Sequence, residues 1–265
     1  MEPVRPVSPA ALRPEGLRPE SLQPEGLRPE SLISGAEVSP LPSGRLPQRA
    51  VLQGRTVRLE PLDWAAHGRE LYAASHADDA ARAVWTYLWQ GPYGDEAAFM
   101  AWLQECAVAA DPIFFAIRDG ASGQARGMAS YLRMAPRDGV LEIGHIWFAP
   151  SLQRTTASTE SLTLMIRHAF DDLGCRRVEW KCDARNAPSR RAALRLGLRF
   201  EGIFYRHMIV KGRNRDTAWY AILAEEWPAV RSAYDRWLAA DNFDAGGRQQ
   251  TSLSACAAAA RPSPA

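Results

Sequence analysis

The feature that most constrains the fold of this chain is a change of hydrophobic period near residue 150. Before it, three apolar segments of strand length are separated by Asp-Gly turn signals: residues 113–118, 126–134 and 141–148. After it, residues 159–173 place apolar side chains at helical spacing, and the stretch ends at Gly174, a residue suited to a helix C-terminus. The change predicts an antiparallel meander followed by an amphipathic helix.

The rest of the sequence extends this pattern into an α+β fold. Residues 56–62 alternate as a half-buried strand does, and two helices follow over residues 64–75 and 95–109, the second capped by Asp95. The later elements are a strand, a helix and two strands: residues 177–182, 188–196, 200–210 and 217–223. The order β, α, α, β, β, β, α, β, α, β, β suits a sandwich with a central mixed sheet.

Both ends of the chain are predicted to lie outside the folded domain, which we place at residues 51–240, including a last helix over 225–238. Residues 1–50 contain a five-residue repeat with a proline in each copy, which forbids regular helix and offers too few apolar side chains for a core. This extension is expected to be disordered, with an extended binding arm as the alternative. Residues 241–265, rich in Gly, Ser, Ala and Pro, are expected to form a disordered tail.

Charge and composition limit the partners and the compartment. The 32 basic and 30 acidic residues leave a net charge of +2, so no bulk field favours nucleic acid or a membrane surface. The four cysteines show no CxxC spacing and the five histidines no paired-ligand pattern, which predicts reduced thiols and no metal. No stretch approaches the ~18 apolar residues of a membrane-spanning helix and no secretory signal is visible, so a cytoplasmic location is expected.

Three segments resemble a known family. They read LEIGHIWFAPSLQRTTASTESL from Leu141, DARNAPSRRAALRLGLRFEG from Asp183 and RDTAWYAIL from Arg215. Together they resemble the GNAT superfamily of acetyl-CoA-dependent N-acetyltransferases, in the branch related to ribosomal-protein N-terminal acetyltransferases. The resemblance implies a three-layer sandwich with a mixed, mostly antiparallel sheet and helices on both faces.

The resemblance also implies a phosphate-binding loop between a strand and a helix. The residues that occupy this loop are Gln153, Arg154, Thr155, Thr156, Ala157 and Ser158. Amides at a helix N-terminus lack intrahelical partners and sit at the positive end of the dipole, so a pyrophosphate can satisfy them. Thr156 and Ser158 stand where the family has small residues, and a β-branched residue resists positive φ. Their hydroxyls are candidates to donate to a phosphate instead, and a simple helix cap is the alternative.

The rest of the cofactor site is implied in the same way. In the family, the strand equivalent to residues 141–148 splays from its neighbour and leaves backbone groups for pantetheine and for the oxyanion. Those groups are expected here at Ile146, Trp147 and Phe148. Asn186 and Ser189 are expected to line the cofactor tail and the thiol, although an Asn helix cap followed by a proline explains this motif locally.

Acetylation of an amine needs a base for the amine, a stabilised oxyanion and a proton for the leaving thiolate. Glu142 is the predicted base, with a structural Glu-Arg pair as the alternative. His145 is the competing base, with packing across the sheet as its alternative. The tyrosine that many relatives use as the acid aligns with Ala193, so Ser189 is the first choice. Tyr205 and His207 are fallback acids.

These residues predict an enzyme that moves an acetyl group from acetyl-CoA to a primary amine by direct attack in a ternary complex. The amine is a protein N-terminus or a small molecule, and the chain is expected to be a monomer or a homodimer. The alternative is a catalytically silent acyl-CoA-binding module with a regulatory or interaction role.

Overall fold

An eight-stranded mixed sheet forms the centre of the protein, whose computed structural model describes residues 35–260. The strands are β1 (Leu52–Gln53), β2 (Val57–Pro61), β3 (Ile113–Asp119), β4 (Ala125–Ala135), β5 (Val140–Phe148), β6 (Arg177–Asp183), β7 (Arg199–Val210) and β8 (Arg213–Leu223). Their order across the sheet is β1-β2-β3-β4-β5-β6-β8-β7, and only β5 and β6 run parallel. The predicted mixed, mostly antiparallel sheet is confirmed.

Seven helices accompany this sheet within residues 35–260: α1 (Trp64–His76), α2 (Asp79–Arg82), α3 (Glu96–Val108), α4 (Thr156–Arg167), α5 (Ala187–Arg195), α6 (Trp227–Leu238) and α7 (Leu253–Ala260). The side chains of Asp63 and Asp95 cap α1 and α3 by accepting hydrogen bonds from first-turn amides. None of the helices in this part of the chain combines the length and the apolar character needed to cross a bilayer.

The helices cover both faces of the sheet, as predicted. Strand β3 shows why, because its alternate side chains enter different cores: Phe115 lies among residues of α4 and α6, whereas Phe114 lies among residues of α1 and α3. Since both faces of β3 are buried, its sequence is a continuous apolar run rather than an alternating one. The sheet is therefore the middle layer of an α+β sandwich.

The C-terminal segment differs from the predicted tail over residues 241–260. Helix α7 packs against α6 through Leu253 and Cys256, which are both buried. The Asn242 side chain joins the segment to the end of α6 by donating to the Trp237 carbonyl oxygen at 2.9 Å, and it accepts from the Thr251 amide at 2.8 Å. Composition misled here because alanine-rich sequence is low in apolar contrast yet has high helix propensity.

The predicted disordered N-terminal extension also ends too late in the sequence. The proline repeat over residues 1–34 lies outside the described residues. Residues 42–50, however, belong to the same compact unit as the sheet. Ser43 Oγ donates to the Leu173 carbonyl oxygen at 2.6 Å, and Arg45 Nη1 donates to that of Asp172 at 3.0 Å. The folded domain therefore begins nearer residue 42 than the predicted 51.

Candidate active site

Strands β5 and β6 diverge after a short paired stretch. They pair only where residues 140–142 face residues 177–179. Beyond this point β5 stays paired with β4, and β6 stays paired with β8 as far as Asp183. A cleft opens between the two strands, and the backbone groups of β5 on that side have no strand partner. The splay expected from the family resemblance is present.

A bulge in β5 shapes the wall of this cleft. Ser130 of β4 faces Gly144, but Met128, two residues earlier, faces Trp147, so β5 carries one extra residue. His145 lies in this bulge with a φ of +50°, a conformation that is uncommon for a residue other than glycine. Bulges of this kind redirect side chains and end regular pairing beside functional sites.

Five of the predicted site residues line the cleft: Glu142, His145, Ile146, Asn186 and Ser189. The side chain of Trp147 does not, because it is buried in the core under α1 and α3, where its ring lies 5.7 Å from that of Trp85. Phe148 packs on the opposite core, and its carbonyl oxygen accepts from Gln153 Nε2 at 3.0 Å. Any contact of Trp147 with a cofactor is therefore limited to its backbone, whereas the side chain of Phe148 is only partly buried.

The predicted phosphate loop forms the start of α4. Thr155 is the cap residue, and its Oγ1 accepts from the Ser158 amide at 3.1 Å. Positive φ falls on Arg154, at +61°, and not on Thr156, which is the first helical residue. The strain expected at a β-branched residue therefore does not arise. Ser158 Oγ donates to the Thr155 carbonyl oxygen at 2.9 Å, so its proton is already used within the helix.

A contact beside this loop was missed by the sequence reasoning. The buried carboxylate of Glu160 accepts from the amides of Arg55 at 2.7 Å and Thr56 at 2.8 Å, and from the Thr56 hydroxyl. It thereby joins the first turns of α4 to the turn between β1 and β2. A Cβ atom at Gly54 would lie 2.9 Å from this carboxylate and 2.9 Å from the Val57 carbonyl oxygen, so a larger residue there would have to displace backbone.

Glu142 lies in the cleft wall within a cluster of charges. Its Oε2 lies 2.9 Å from Lys181 Nζ and 3.2 Å from Arg133 Nη1. Lys181 is also 2.7 Å from Glu179 Oε2 and lies 4.0 Å from the centre of the Trp219 ring. Burial raises the pKa of Glu142, and the two cations oppose that rise. The ion pair foreseen as an alternative is thus present, and the role of Glu142 as a base stays a prediction.

Lys181 was not among the predicted site residues. The signal was available, since Glu179 and Lys181 are two apart on a strand and must therefore share a face. Which other charges that face would meet depends on the pairing of β6 with β5 and β8, and this register is not visible in the sequence.

His145, the competing base, is held by packing on both sides. Its ring centre lies 5.0 Å from that of Phe114 and 6.0 Å from that of Trp89, and its Nδ1 lies 2.8 Å from Ser130 Oγ. Burial lowers the pKa of His145 to about 4, so the ring is neutral at pH 7. The packing role foreseen as an alternative is present, and a role as base stays a prediction.

Asn186 and Ser189 combine two functions at the cleft. Asn186 Oδ1 accepts from the Ser189 amide at 3.1 Å, which is the helix cap expected from the motif. Both residues also line the cleft. Ser189 Oγ accepts from Trp180 Nε1 at 3.0 Å, which fixes the oxygen, and its hydroxyl also has a hydrogen-bond contact with the Cys182 side chain. The fallback acids lie elsewhere: Tyr205 is largely exposed, and His207 Nδ1 lies 3.0 Å from Thr217 Oγ1.

We expect Ser189→Ala to lower kcat about tenfold while changing the Kd for acetyl-CoA little. A hydroxyl bonded to a departing thiolate acts mainly in the transition state, and a bond to a charged group contributes ~1.5–3 kcal/mol. Steady-state kinetics together with a binding titration measures both effects. An unchanged kcat would leave Ser189 with its place in the first turn of α5 alone.

Two further parts of the cleft were not predicted. Arg215 of β8 lines it with a nearly buried side chain. The segment 85–89 crosses its opening, where Tyr87 Oη donates to the Arg185 carbonyl oxygen at 3.2 Å and Lys211 Nζ donates to that of Trp85 at 2.7 Å. The sequence signal for this segment is its aromatic density, which resembles that of an ordinary core segment.

Comparison with known proteins identifies the family. The Acetyltransferase (GNAT) domain family matches residues 57–199. The crystal structure of a GCN5-related N-acetyltransferase from Brucella melitensis is 48% identical with a TM-score of 0.78, and the match covers 80% of this chain and 96% of that chain. The uncharacterized N-acetyltransferase YnaD of Bacillus subtilis is 34% identical over 87 residues, which are 32% of this chain and half of that protein.

A more distant structure bears on the predicted branch. RimL, a ribosomal L7/L12 α-N-protein acetyltransferase, is 20% identical in its apo crystal form, with a TM-score of 0.57 and coverage of 66% of this chain and 94% of that chain. At this identity the likeness is one of fold. With the domain match, the close structural relative and the splayed strands in agreement, the chain belongs to the GNAT acetyltransferase family and is an acyltransferase.

Proposed function

We propose that this enzyme transfers an acetyl group from acetyl-CoA to the nitrogen of a primary amine by direct attack in a ternary complex. The observation that carries the proposal is the parting of β5 and β6 beyond Glu142, which opens a cleft walled by titratable groups. Members of the family use acetyl-CoA. When bound, acetyl-CoA supplies a thioester whose carbonyl carbon accepts the amine.

The residues after β5 fit the diphosphate of such a donor. Helix α4 begins at Thr156, so the amides of its first turn have no carbonyl partner within the helix, apart from the one that Thr155 caps. These amides lie at the positive end of the helix dipole, which favours a phosphate. The positive φ of Arg154 turns the chain into the helix without strain at Thr156. The small-residue pattern of the family is therefore not needed for this backbone geometry.

The side chains of the cleft suit the steps of the transfer. The amine nitrogen forms a bond to the carbonyl carbon, and the oxyanion that results is stabilised by an amide of β5 on the unpaired side. The amine proton passes to Glu142, directly or through water. When the carbon–sulfur bond breaks, the thiolate takes a hydrogen bond from the hydroxyl of Ser189, or a proton that Ser189 regains from water, while the amine proton leaves Glu142 to solvent. Glu142 and Ser189 both line the cleft.

The predicted partner and compartment follow the same proposal. The acceptor is an amine of a small molecule or of a protein N-terminus. All four cysteines are buried and unpaired, which supports a reducing compartment such as the cytoplasm. The catalytically silent alternative was suggested by Thr156 and Ser158, and neither residue distorts the start of α4.

We expect Thr156→Pro to weaken acetyl-CoA binding by about tenfold and to leave the melting temperature of the ligand-free protein nearly unchanged. Proline is favoured at the first helical position, and Thr155 already has the extended conformation that must precede it, at φ −92° and ψ 165°. The substitution thus removes one amide donor from the phosphate site and little else.

Thr156→Ala is the matched control, because it removes the hydroxyl and keeps the amide. We expect its Kd to equal that of the wild type, measured by calorimetric titration with acetyl-CoA. If the alanine variant weakens and the proline variant does not, the hydroxyl holds the phosphate and the amide assignment is wrong.

Initial-velocity kinetics test the proposed mechanism. Acetyl-CoA and a panel of primary amines and short peptides are varied together, and release of the CoA thiol is followed. Direct attack in a ternary complex predicts intersecting double-reciprocal lines, whereas an acetylated enzyme predicts parallel ones. Binding of acetyl-CoA without amine-dependent thiol release would favour the silent module instead.

A further inference from the structure

The cleft contains one charged side chain whose hydrogen-bonding groups are not satisfied. Arg215 is only 7% exposed, and its Nε is closed to solvent and lacks a hydrogen-bond partner among the described residues. Burying a guanidinium away from water costs several kcal/mol unless an acceptor compensates it. Burial also lowers the pKa of Arg215, although an arginine stays charged. A group of this kind points to a ligand that completes it.

Arg215 shares a face of the sheet with Glu142, which pairs with Glu179 of β6. Thr217 of β8 pairs with Asp183 of β6, and Trp219 pairs with Lys181, so Arg215 continues the same row by two residues. This face carries the charges of the cleft. The phosphate loop of residues 153–158, by contrast, does not line the cleft. In the proposed function the diphosphate of the donor binds to the amides of that loop, which leaves Arg215 for a different anion.

The other charges of the cleft already have partners. Lys181 Nζ and Arg133 Nη1 both contact the carboxylate of Glu142. Asp183 Oδ1 accepts from the Arg185 amide at 2.8 Å. Lys181 Nζ also contacts Glu179 Oε2 at 2.7 Å, so Arg215 is the cationic side chain of the cleft that has no ion-pair partner among the described residues. A carboxylate on the acceptor would supply that partner.

The cover of the cleft suits a small acceptor. Tyr87 and Trp89 line it from the segment that crosses the opening, and Trp89 lies under the guanidinium of Arg133 at 5.8 Å. The bonds from Tyr87 to Arg185 and from Lys211 to Trp85 tie this segment to the loop after β6 and to the turn between β7 and β8. An amine with a compact body fits beneath such a cover more readily than a folded protein surface does.

We propose that Arg215 binds a carboxylate of the acceptor, and that the substrates are small amines that carry a carboxylate, as amino acids do. The inference rests on the proposed acetyl transfer, whose acceptor class it specifies. The guanidinium and a carboxylate form charge-assisted, paired hydrogen bonds, which orient the acceptor as well as hold it. Arg215 is in this sense a specificity residue for the amine.

The test compares amino acids with their own carboxamides as acceptors, in the wild type and in Arg215→Gln. We expect the wild type to prefer the acids, and Arg215→Gln to lower kcat/KM for the acids by about 10–100-fold with little change for the carboxamides. Dividing the acid-to-amide ratio of the wild type by that of the variant cancels the difference in amine basicity. Arg213→Gln, an exposed arginine on the same strand, is the control and should leave the ratio unchanged.

Two further measurements distinguish loss of the carboxylate contact from a folding defect or an inactive enzyme: the variant Arg215→Lys and ligand binding. The lysine variant should keep part of the preference, and the Kd for acetyl-CoA should match the wild type in every variant. N-acetylglycine, a product with a carboxylate, should raise the melting temperature of the CoA-saturated wild type, and that of Arg215→Gln much less. This second readout needs no turnover.

The two proposals fail in different ways. Turnover of carboxamides as fast as acids, or an equal loss for both in Arg215→Gln, would overturn the carboxylate site and leave acetyl transfer standing. If none of the amines stimulates thiol release while N-acetylglycine still binds in an Arg215-dependent way, acetyl transfer would be overturned and the anion site would stand. Absence of both turnover and N-acetylglycine binding would overturn the two together.

Discussion

Glu142→Gln is expected to lower kcat/KM by ~10²-fold or more at neutral pH, the usual range for losing a general base. The amide has nearly the same shape but cannot accept the amine proton. Since the substitution also weakens contacts with Lys181 and Arg133, a matched control is needed. Glu179→Gln serves, because Glu179 binds the same lysine without lining the cleft, and it should cost less than about tenfold.

The pH dependence separates Glu142 from His145. A protonated amine does not react, so log kcat/KM falls with a slope of about one as pH drops below the amine pKa. The slope for the wild type should increase to about two once Glu142 is also protonated, which happens at a higher pH than for an ordinary glutamate because burial raises the pKa of Glu142. For Glu142→Gln the slope of log kcat/KM against pH should stay at about one. If only His145→Ala loses a steeper limb, placed near the His145 pKa of about 4, then His145 is the base.

Glu160→Ala is expected to lower the free energy of unfolding by about 3 kcal/mol, because it removes the hydrogen bonds that this buried carboxylate accepts from the Arg55 and Thr56 amides and from the Thr56 hydroxyl. For a domain of this size the melting temperature should fall by about 6–12 °C. Glu160→Gln keeps a carbonyl acceptor and should lose less. Glu105→Ala, an exposed glutamate in α3, is the control. Equal melting temperatures for Glu160→Ala and Glu105→Ala would remove the structural role of this carboxylate.

Local patterns predicted the elements whose signals lie within a few residues. Asp95 marks the start of α3 because a carboxylate satisfies the first amides of a helix. Helix α4 begins three residues earlier than its apolar period suggested, because the Thr155 cap sets its start. Helix α7 was missed, since Leu253 and Cys256 form too small an apolar face in an alanine-rich segment to stand out.

The candidate site was predictable only where the family resemblance supplied it. Glu142, His145, Asn186 and Ser189 line one cleft, and their roles stay predictions. The roles of their neighbours depend on distant pairings. Glu160 contacts residues about a hundred positions away in sequence, and Arg215 reaches the cleft through the register between β6 and β8. No local pattern in the sequence encodes these contacts, so the charges around the site emerged only from the folded structure.

Release of CoA thiol from acetyl-CoA, followed with and without a primary amine, tests the central claim most directly. The wild type should release thiol at a rate that saturates in both acetyl-CoA and amine, and mass spectrometry should find the acetyl group on the amine nitrogen. Acetyl-CoA that remains intact in the presence of amino acids, peptides and simple amines would contradict acetyl transfer by this cleft.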